Sequence, residues 1–428
     1  MACFRPADTA EAIKLLLWKE FELSRLCAGW MPAVPRFGCK AKLARLQYIH
    51  SRDMKLLHGR ANELPGGLPA KAWVPEAVRE LYASASLAPS VAAFFAGYGL
   101  LLEDLLQSYD KLGRDVDPIL DAPTLDVLDI AGLKRRELAW VREQTREFLA
   151  TEDGAASSLP DWERYVARLL ELGKELGRDG SVPPALRWPA PFPAEPVGPV
   201  PVQSALDPRF PPYVFTEGKK PYEDPDASPL YDSVKQMHYI NATEMSAAEN
   251  LAYMYYAVQH FPLEFYYDLS RHLWDESRHA AMGVRRLRQL GYPTERFRYF
   301  VGGPGKDVGA EWYADMYASL TMVAEPCSFL KKRKSIPAFE AFGDELSAAH
   351  VEFDMADEQM HVNFGKKWGP ELFKTYKNDL VTAQELAAKA RLRRLQARGL
   401  TAEEEQAVLK DFPAFCGFTT NELNYEKY

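Results

Sequence analysis

The sequence predicts an all-α protein made of two helical parts, and three observations carry that reading. Apolar residues recur at helical spacing through most of the chain. No run alternates in the manner of a half-buried strand, and no Asn-Gly turn joins two such runs. A long Pro-rich stretch, where neither helix nor sheet can persist, parts the chain near its middle.

The elements follow in order. Helices are expected over residues 9–29, 39–64, 90–112 and 124–151, with a shorter one over 161–176. Residues 182–229 hold fourteen of the chain's 31 prolines. Proline fixes φ and lacks an N–H, so this is a connector; its aromatics Trp188, Phe192, Phe210, Tyr213 and Phe215 suit a segment packed on a surface. Helices resume over 233–260, 263–290, 310–334 and 337–368, with a non-helical crossover over 291–309 that contains Gly302-Gly303-Pro304-Gly305. A basic amphipathic helix over 383–398, a short acidic helix over 403–410 and an aromatic end over 415–428 complete the chain. The domain reading is therefore 1–180 helical, 181–230 linker, 231–380 a second helical domain and 381–428 a tail.

Composition narrows the function classes. A chain of 428 residues, 47% hydrophobic and 26% charged, is long enough for two domains with cores of their own. Its net charge of -8 gives no footprint for nucleic acid. No apolar run reaches the ~20 residues of a membrane span, and no secretory signal pattern follows Met1. Cys3, Cys27, Cys39, Cys327 and Cys416 are scattered and form no Cys-x-x-Cys pair, so neither a disulfide framework nor a cysteine metal site is indicated. A cytoplasmic location is the expectation.

Two copies of Asp-Glu-x-x-His carry the chemistry: Asp275-Glu276-Ser277-Arg278-His279 and Asp357-Glu358-Gln359-Met360-His361. On a helix, positions i and i+3 share a face, so each Glu and His point the same way. If both copies sit mid-helix in a four-helix bundle, each of the other helices should offer a carboxylate about 30 to 35 residues upstream, half a helix up and half a helix down. Glu244 gives 276 − 244 = 32 and Glu325 gives 358 − 325 = 33, whereas Glu249 and Glu311 give 27 and 47. Both glutamates stand in apolar stretches, where a carboxylate is costly unless paired or bound to a cation. The plainer alternative is a helical bundle with Glu and His on its surface.

Residues 233–369 resemble the ferritin-like di-iron-carboxylate superfamily, whose bundle joins two helical hairpins by one long crossover. Glu244, Glu276, His279, Glu325, Glu358 and His361 match that family's six ligands one by one. Asp275-Glu276-Ser277-Arg278-His279 is similar to the Asp-Glu-x-Arg-His motif of bacterial multicomponent monooxygenases; the second copy departs from it with Met360. The resemblance implies that Asp275 orients His361 and Asp357 orients His279 across the bundle. It implies two iron ions, or a manganese–iron pair, with O2 as co-substrate. Four carboxylates and two imidazoles suit iron or manganese on their own chemistry too.

Other residues leave alternatives open. His272, four before Glu276, and Asp354, four before Glu358, either add a ligand or lend polarity around the site. Pro326 kinks its helix beside Glu325, shaping either a pocket or only a bend. Tyr253, Tyr255, Tyr256, Tyr266 and Tyr267 read as packing before redox relays. The first part reads as a scaffold that covers the second or forms part of its pocket, before a bundle of the same design with its site lost, for which the pairs would be Glu22 to Asp53 and Glu103 to Glu137, with Leu56 and Trp140 at the histidine positions. His50 and His58 read as satisfied surface or interface histidines. The basic runs 331–334 and 391–398 read as solvated helix faces before docking sites. The leading expectation is an O2-dependent oxidase or oxygenase of a small organic substrate, fed by an external electron donor and compatible with a homodimer. Ferroxidase or peroxide removal and a non-catalytic scaffold are the alternatives.

Overall fold

A computed structural model describes residues 4–66, 74–152, 155–177, 180–213, 235–305 and 309–396. The chain is all-helical, with no β-strand among the described residues. The acidic helix and aromatic end expected over 403–428 lie outside them, as do residues 214–230 of the connector and the first two residues of the expected helix over 233–260. No helix among the described residues is long and apolar enough to cross a membrane.

Contacts group the chain into two units: Met1–Ala205 with Tyr255–Arg271, and Leu206–Met254 with His272–Tyr428. The Pro-rich connector thus divides at Ala205, and the ends of two later helices are counted with the first unit.

The first unit contains α1 (Pro6–Trp30), α2 (Phe37–Asn62), α3 (Glu76–Ser86), α4 (Val91–Asp115), α5 (Ala122–Leu128), α6 (Ala131–Leu149) and α7 (Ala155–Lys174). Pro at the first turn starts α1 without wasting an N–H, and the Ser90 side chain caps α4 by accepting from Ala93 N. Helix α3 is absent from the sequence reading, and the single helix expected over 124–151 is broken between Leu128 and Ala131. The core is aromatic: Trp30 stacks on Phe94 at 4.4 Å, and Tyr255 and Tyr266 are fully buried. Each fully buried side chain of that size contributes roughly 1.5–3 kcal/mol.

The second unit opens with a π-helical turn, Lys235–Tyr239, followed by α8 (Ile240–Thr243) and α9 (Met245–Ala257), which ends in the first unit. Next come α10 (Leu263–Gln289), α11 (Glu311–Ser319), a π-helical turn at Leu320–Ala324, α12 (Glu325–Ala341), α13 (Glu345–Lys377) and α14 (Ala383–Gln396). Helix α13 packs along α12 and α11.

Pro337 does not open the last long helix, as expected, but lies inside α12. The turn falls at Phe342–Asp344: Gly343 adopts φ +71, which L side chains resist, and Asp344 caps α13 by accepting from Ser347 N at 3.0 Å. The cap, rather than the proline, is the physical start signal.

Candidate metal centre

Helices α10 and α13 carry the two Asp-Glu-x-x-His copies, and both present Glu and His to the interior. Glu276, His279, Glu358 and His361 are all buried. Their partners come from irregular backbone. Glu244 stands at the break between α8 and α9, where its N–H bonds Asn241 O, three residues back. Glu325 follows the π turn, and its N–H bonds Leu320 O, five residues back. Pro326 explains the widening: it has no N–H for Met322 O, so the turn before it loses its α-helical bond.

These residues form two clusters whose ligand atoms lie within 4.8 Å of one another. The first is His272, Glu276, Glu325 and His361; the second is Glu244, His279 and Asp354. Five of the six residues matched by spacing are thereby gathered, and His272 and Asp354 join them. Glu358 is in neither cluster: its Oε1 accepts from Lys332 Nζ at 2.9 Å. Lys332 also donates to Asp354 Oδ1 at 2.7 Å and is only 3% exposed. The basic run over 331–334 is thus not a uniform solvated face, because Lys332 turns inward.

The structure brings Asp275 Oδ2 to 3.3 Å from His361 Nε2 and Asp357 Oδ2 to 3.2 Å from His279 Nε2. The remaining ring nitrogens face the clusters. His279 Nδ1 lies 3.3 Å from Glu244 Oε2 and 3.5 Å from Asp354 Oδ1. Arg278 pairs with Asp275 and reaches Asp357 Oδ2 at 3.1 Å. One arginine therefore reaches both aspartates, while the second copy has Met360 at the equivalent position. Asn241 Nδ2 donates to Glu244 Oε2 and Asp354 Oδ2, each at 3.1 Å.

A further repeat was legible and missed: each copy extends to Asp-Glu-x-x-His-x-x-x-Gly, ending at Gly283 and Gly365. A Cβ at Gly283 would strike the backbone of His238 and Ala242, just before Glu244. A Cβ at Gly365 would strike Thr321, in the π turn before Glu325. Each glycine lets a Glu-x-x-His helix approach the segment that supplies the opposing glutamate.

The electrostatics are those of excess buried negative charge. Burial, opposed by His272 and reinforced by Glu244, raises Glu276 to about 7. Burial, opposed by His272 and reinforced by Glu358, raises Glu325 to about 7. Burial also raises Glu358, to about 8, against the pull of Lys332. Burial opposes the charge on Asp354 too, but Lys332 and His279 hold it at about 2. His272 rises to about 10 against burial, because Glu325 and Glu276 flank its Nε2 at 3.0 and 3.1 Å.

The residues fit a pair of divalent cations. Glu325 Oε2 and Glu358 Oε2 have no hydrogen-bond partner among the described residues, and His279 Nδ1 faces the carboxylate oxygens of Glu244 and Asp354. Mixed carboxylate and imidazole donors are the set that iron and manganese accept. Beside them lies a cavity of about 140 Å³, bounded by Glu244, Glu276, Glu325 and Glu358 and by the apolar Ile240, Ala247 and Leu320. A cavity of about 340 Å³ in the first unit, beside Leu16, Trp18 and Lys111, contains none of the predicted site residues.

The first unit has a buried charged cluster of its own. Lys134 Nζ lies 3.1 Å from Glu20 Oε2, 3.0 Å from Asp53 Oδ2 and 3.0 Å from His50 Nδ1, all fully buried. His50 also bonds Glu20, and its Nε2 bonds Tyr98 at 2.7 Å, so it is a core residue and not a surface one. Asp53 and Glu137 belong to this cluster, but Glu22 pairs with Arg25 and Glu103 pairs with Arg142 at the surface. The register expected from Glu22 and Glu103 is therefore replaced by Glu20 on α1 and by Tyr98 and Tyr109 on α4.

No known family model, curated protein or solved structure matches this chain.

Proposed function

We propose that this protein is a non-haem di-iron oxidase or oxygenase, with its metal centre in a ferritin-like four-helix bundle formed by α8–α9, α10, α11–α12 and α13. The observation that carries the reading is the pair of adjoining ligand clusters, buried except for the half-buried Glu244, each crossed by an aspartate–histidine pair from the opposite helix. His272, Glu276, Glu325 and His361 would hold one ion, and Glu244, His279 and Asp354 the other, with Glu358 beside them. Iron(II) held by this donor set would supply electrons for the reduction of O2.

The chain's own residues do the rest. Asp275 and Asp357 fix the tautomers of His361 and His279 and raise their basicity as ligands. Arg278 pairs with both aspartates and holds them in place. Ile240, Ala247, Leu320 and Ala324 give the cavity a dry wall, which strengthens every electrostatic interaction inside it. At about 140 Å³ that cavity suits a small organic substrate. With no rubredoxin or flavin motif in the sequence, reducing equivalents would come from an external donor. Ferroxidase or peroxide removal by the same ligands is the competing reading.

Elemental analysis of protein purified without chelator tests this, beside a Glu276→Ala/Glu358→Ala double variant. Two iron or manganese ions per chain, lost in the variant, together with O2 uptake quickened by a small organic compound, is the expected result. Iron accumulating well beyond two per chain would favour ferroxidase. No stoichiometric metal after anaerobic Fe(II) loading would remove the enzyme reading.

A further inference from the structure

We propose that Lys332 makes the two metal positions unequal. The cluster of His272, Glu276, Glu325 and His361 takes a divalent transition ion tightly, and the Lys332 ammonium holds the cluster of Glu244, His279 and Asp354 as a weak, later-loading position. The inference rests on the dinuclear reading above and concerns how that centre is filled.

The argument is one of broken symmetry. The two Asp-Glu-x-x-His-x-x-x-Gly copies and their upstream glutamates relate the halves of the centre residue by residue: Glu244 to Glu325, Glu276 to Glu358, His279 to His361, and His272 to Asp354. Under that relation each position should receive four side chains. The first does: His272, Glu276, Glu325 and His361 lie together. The second gathers only Glu244, His279 and Asp354, because Glu358 points its Oε1 at Lys332 Nζ. Lys332 stands seven residues after Glu325, two turns along one face; seven after Glu244 stands Leu251, which is apolar and fully buried.

Chemistry sharpens the difference. His272 takes the place that Asp354 takes in the other half, and an imidazole nitrogen can itself ligate a metal. An ammonium has no lone pair and repels a second cation, most strongly where water is excluded. Nor can Lys332 withdraw cheaply: it is 3% exposed, and leaving Asp354 and Glu358 would strand the buried ammonium and take the cation from both carboxyls. Lys332 thus neutralises the second position without completing it.

Anaerobic titration of the full chain with Co(II), followed by calorimetry and by visible d–d absorption, reads the two positions separately. The wild type is expected to bind one ion tightly and a second roughly 100-fold more weakly. In Lys332→Met the two affinities should converge to within about tenfold, with the first unchanged, whereas Lys332→Arg should keep the gap. His272→Ala should lose the tight ion and spare the weak one. Two equal sites in the wild type, or an unchanged gap in a folded Lys332→Met, would overturn the inference while leaving the dinuclear reading intact. If Lys332→Met does not fold, loss of the weak ion in place of the tight one in His272→Ala overturns it equally. Co(II) bound by neither wild type nor variants would overturn the dinuclear reading itself, and this inference with it.

Discussion

Asp275 and Asp357 each stand between a histidine and Arg278, and that position decides what their loss would do. An amide in place of either carboxylate keeps the shape but no longer favours the Nε2–H tautomer, nor raises the basicity of the nitrogen that faces the cluster. Asp275→Asn and Asp357→Asn should each weaken metal binding by about 10–100-fold, read by competition with a chromogenic chelator. Unchanged affinity would mean that the pairs serve only packing. In the first unit, Lys134 holds Glu20 at about 2 even though burial alone would raise it. Lys134→Met removes the cation but leaves Glu20 with His50 and Tyr109 and Asp53 with Arg52, so it should cost about 3 kcal/mol, the low end for a broken buried ion pair, in urea unfolding. Adding Glu20→Gln and Asp53→Asn should recover part of that loss; no recovery would show that the lysine stem, and not its charge, matters. Sequence spacing exposed Glu276, His279, Glu358 and His361 because i and i+3 share a helical face whatever the tertiary fold. It could not expose Lys332, since a lysine among Lys331, Arg333 and Lys334 looks like any solvated run until a helix face is assigned.

At the scale of elements, the proposed centre depends on how closely α10 and α13 approach the segments that carry Glu244 and Glu325. Gly283 and Gly365 set that approach, one turn beyond His279 and His361. Gly365→Ala forces Thr321 and the π turn outward, and Gly283→Ala meets backbone that cannot rotate aside. Each should destabilise the protein by about 1–3 kcal/mol and weaken metal binding. Gly59→Ala in α2 meets open space and should instead stabilise by about 0.5–1 kcal/mol. Thermal unfolding with a metal titration checks all three; equal effects in all three would show that close approach is not the cause. The 32- and 33-residue gaps located Glu244 and Glu325 because hairpin geometry ties depth to chain length. Reading Pro337 as a helix start placed the α12–α13 turn too early, because proline marks where a helix bends as readily as where it begins. The π turns were beyond reach, since an i to i−5 bond leaves no mark on hydrophobic periodicity beyond the missing N–H of Pro326.

Across the whole molecule, each unit gathers buried carboxylates that one lysine only partly answers, and the second unit carries the greater excess. Without metal, that excess is met by protons, and the consequence for stability has a definite sign. Glu276 and Glu325 rise from 4.5 to about 7, and Glu358 from 4.5 to about 8. A carboxyl with a raised folded pKa contributes stability that is complete below its unfolded value and is lost as pH climbs through the folded one. The metal-free protein should therefore lose thermal stability between about pH 6.5 and 8.5. The lower bound matters because His350, pushed by burial to about 4, acts in the opposite sense: its share is present above 6.5 and lost as pH falls toward 4. Under the dinuclear reading, metal ions would take the place of the protons, the loaded protein would escape the alkaline loss, and the Tm difference between loaded and metal-free protein should widen across that window. Loading near pH 6.5 should release protons, and loading near pH 8.5 fewer. Scanning calorimetry at pH 6.5, 7.5 and 8.5, with binding heats compared in buffers of different ionisation enthalpy, measures both quantities. A Tm difference that narrows with rising pH, or loading without proton release at pH 6.5, would mean that these carboxyls are ionised and already paired before any metal arrives.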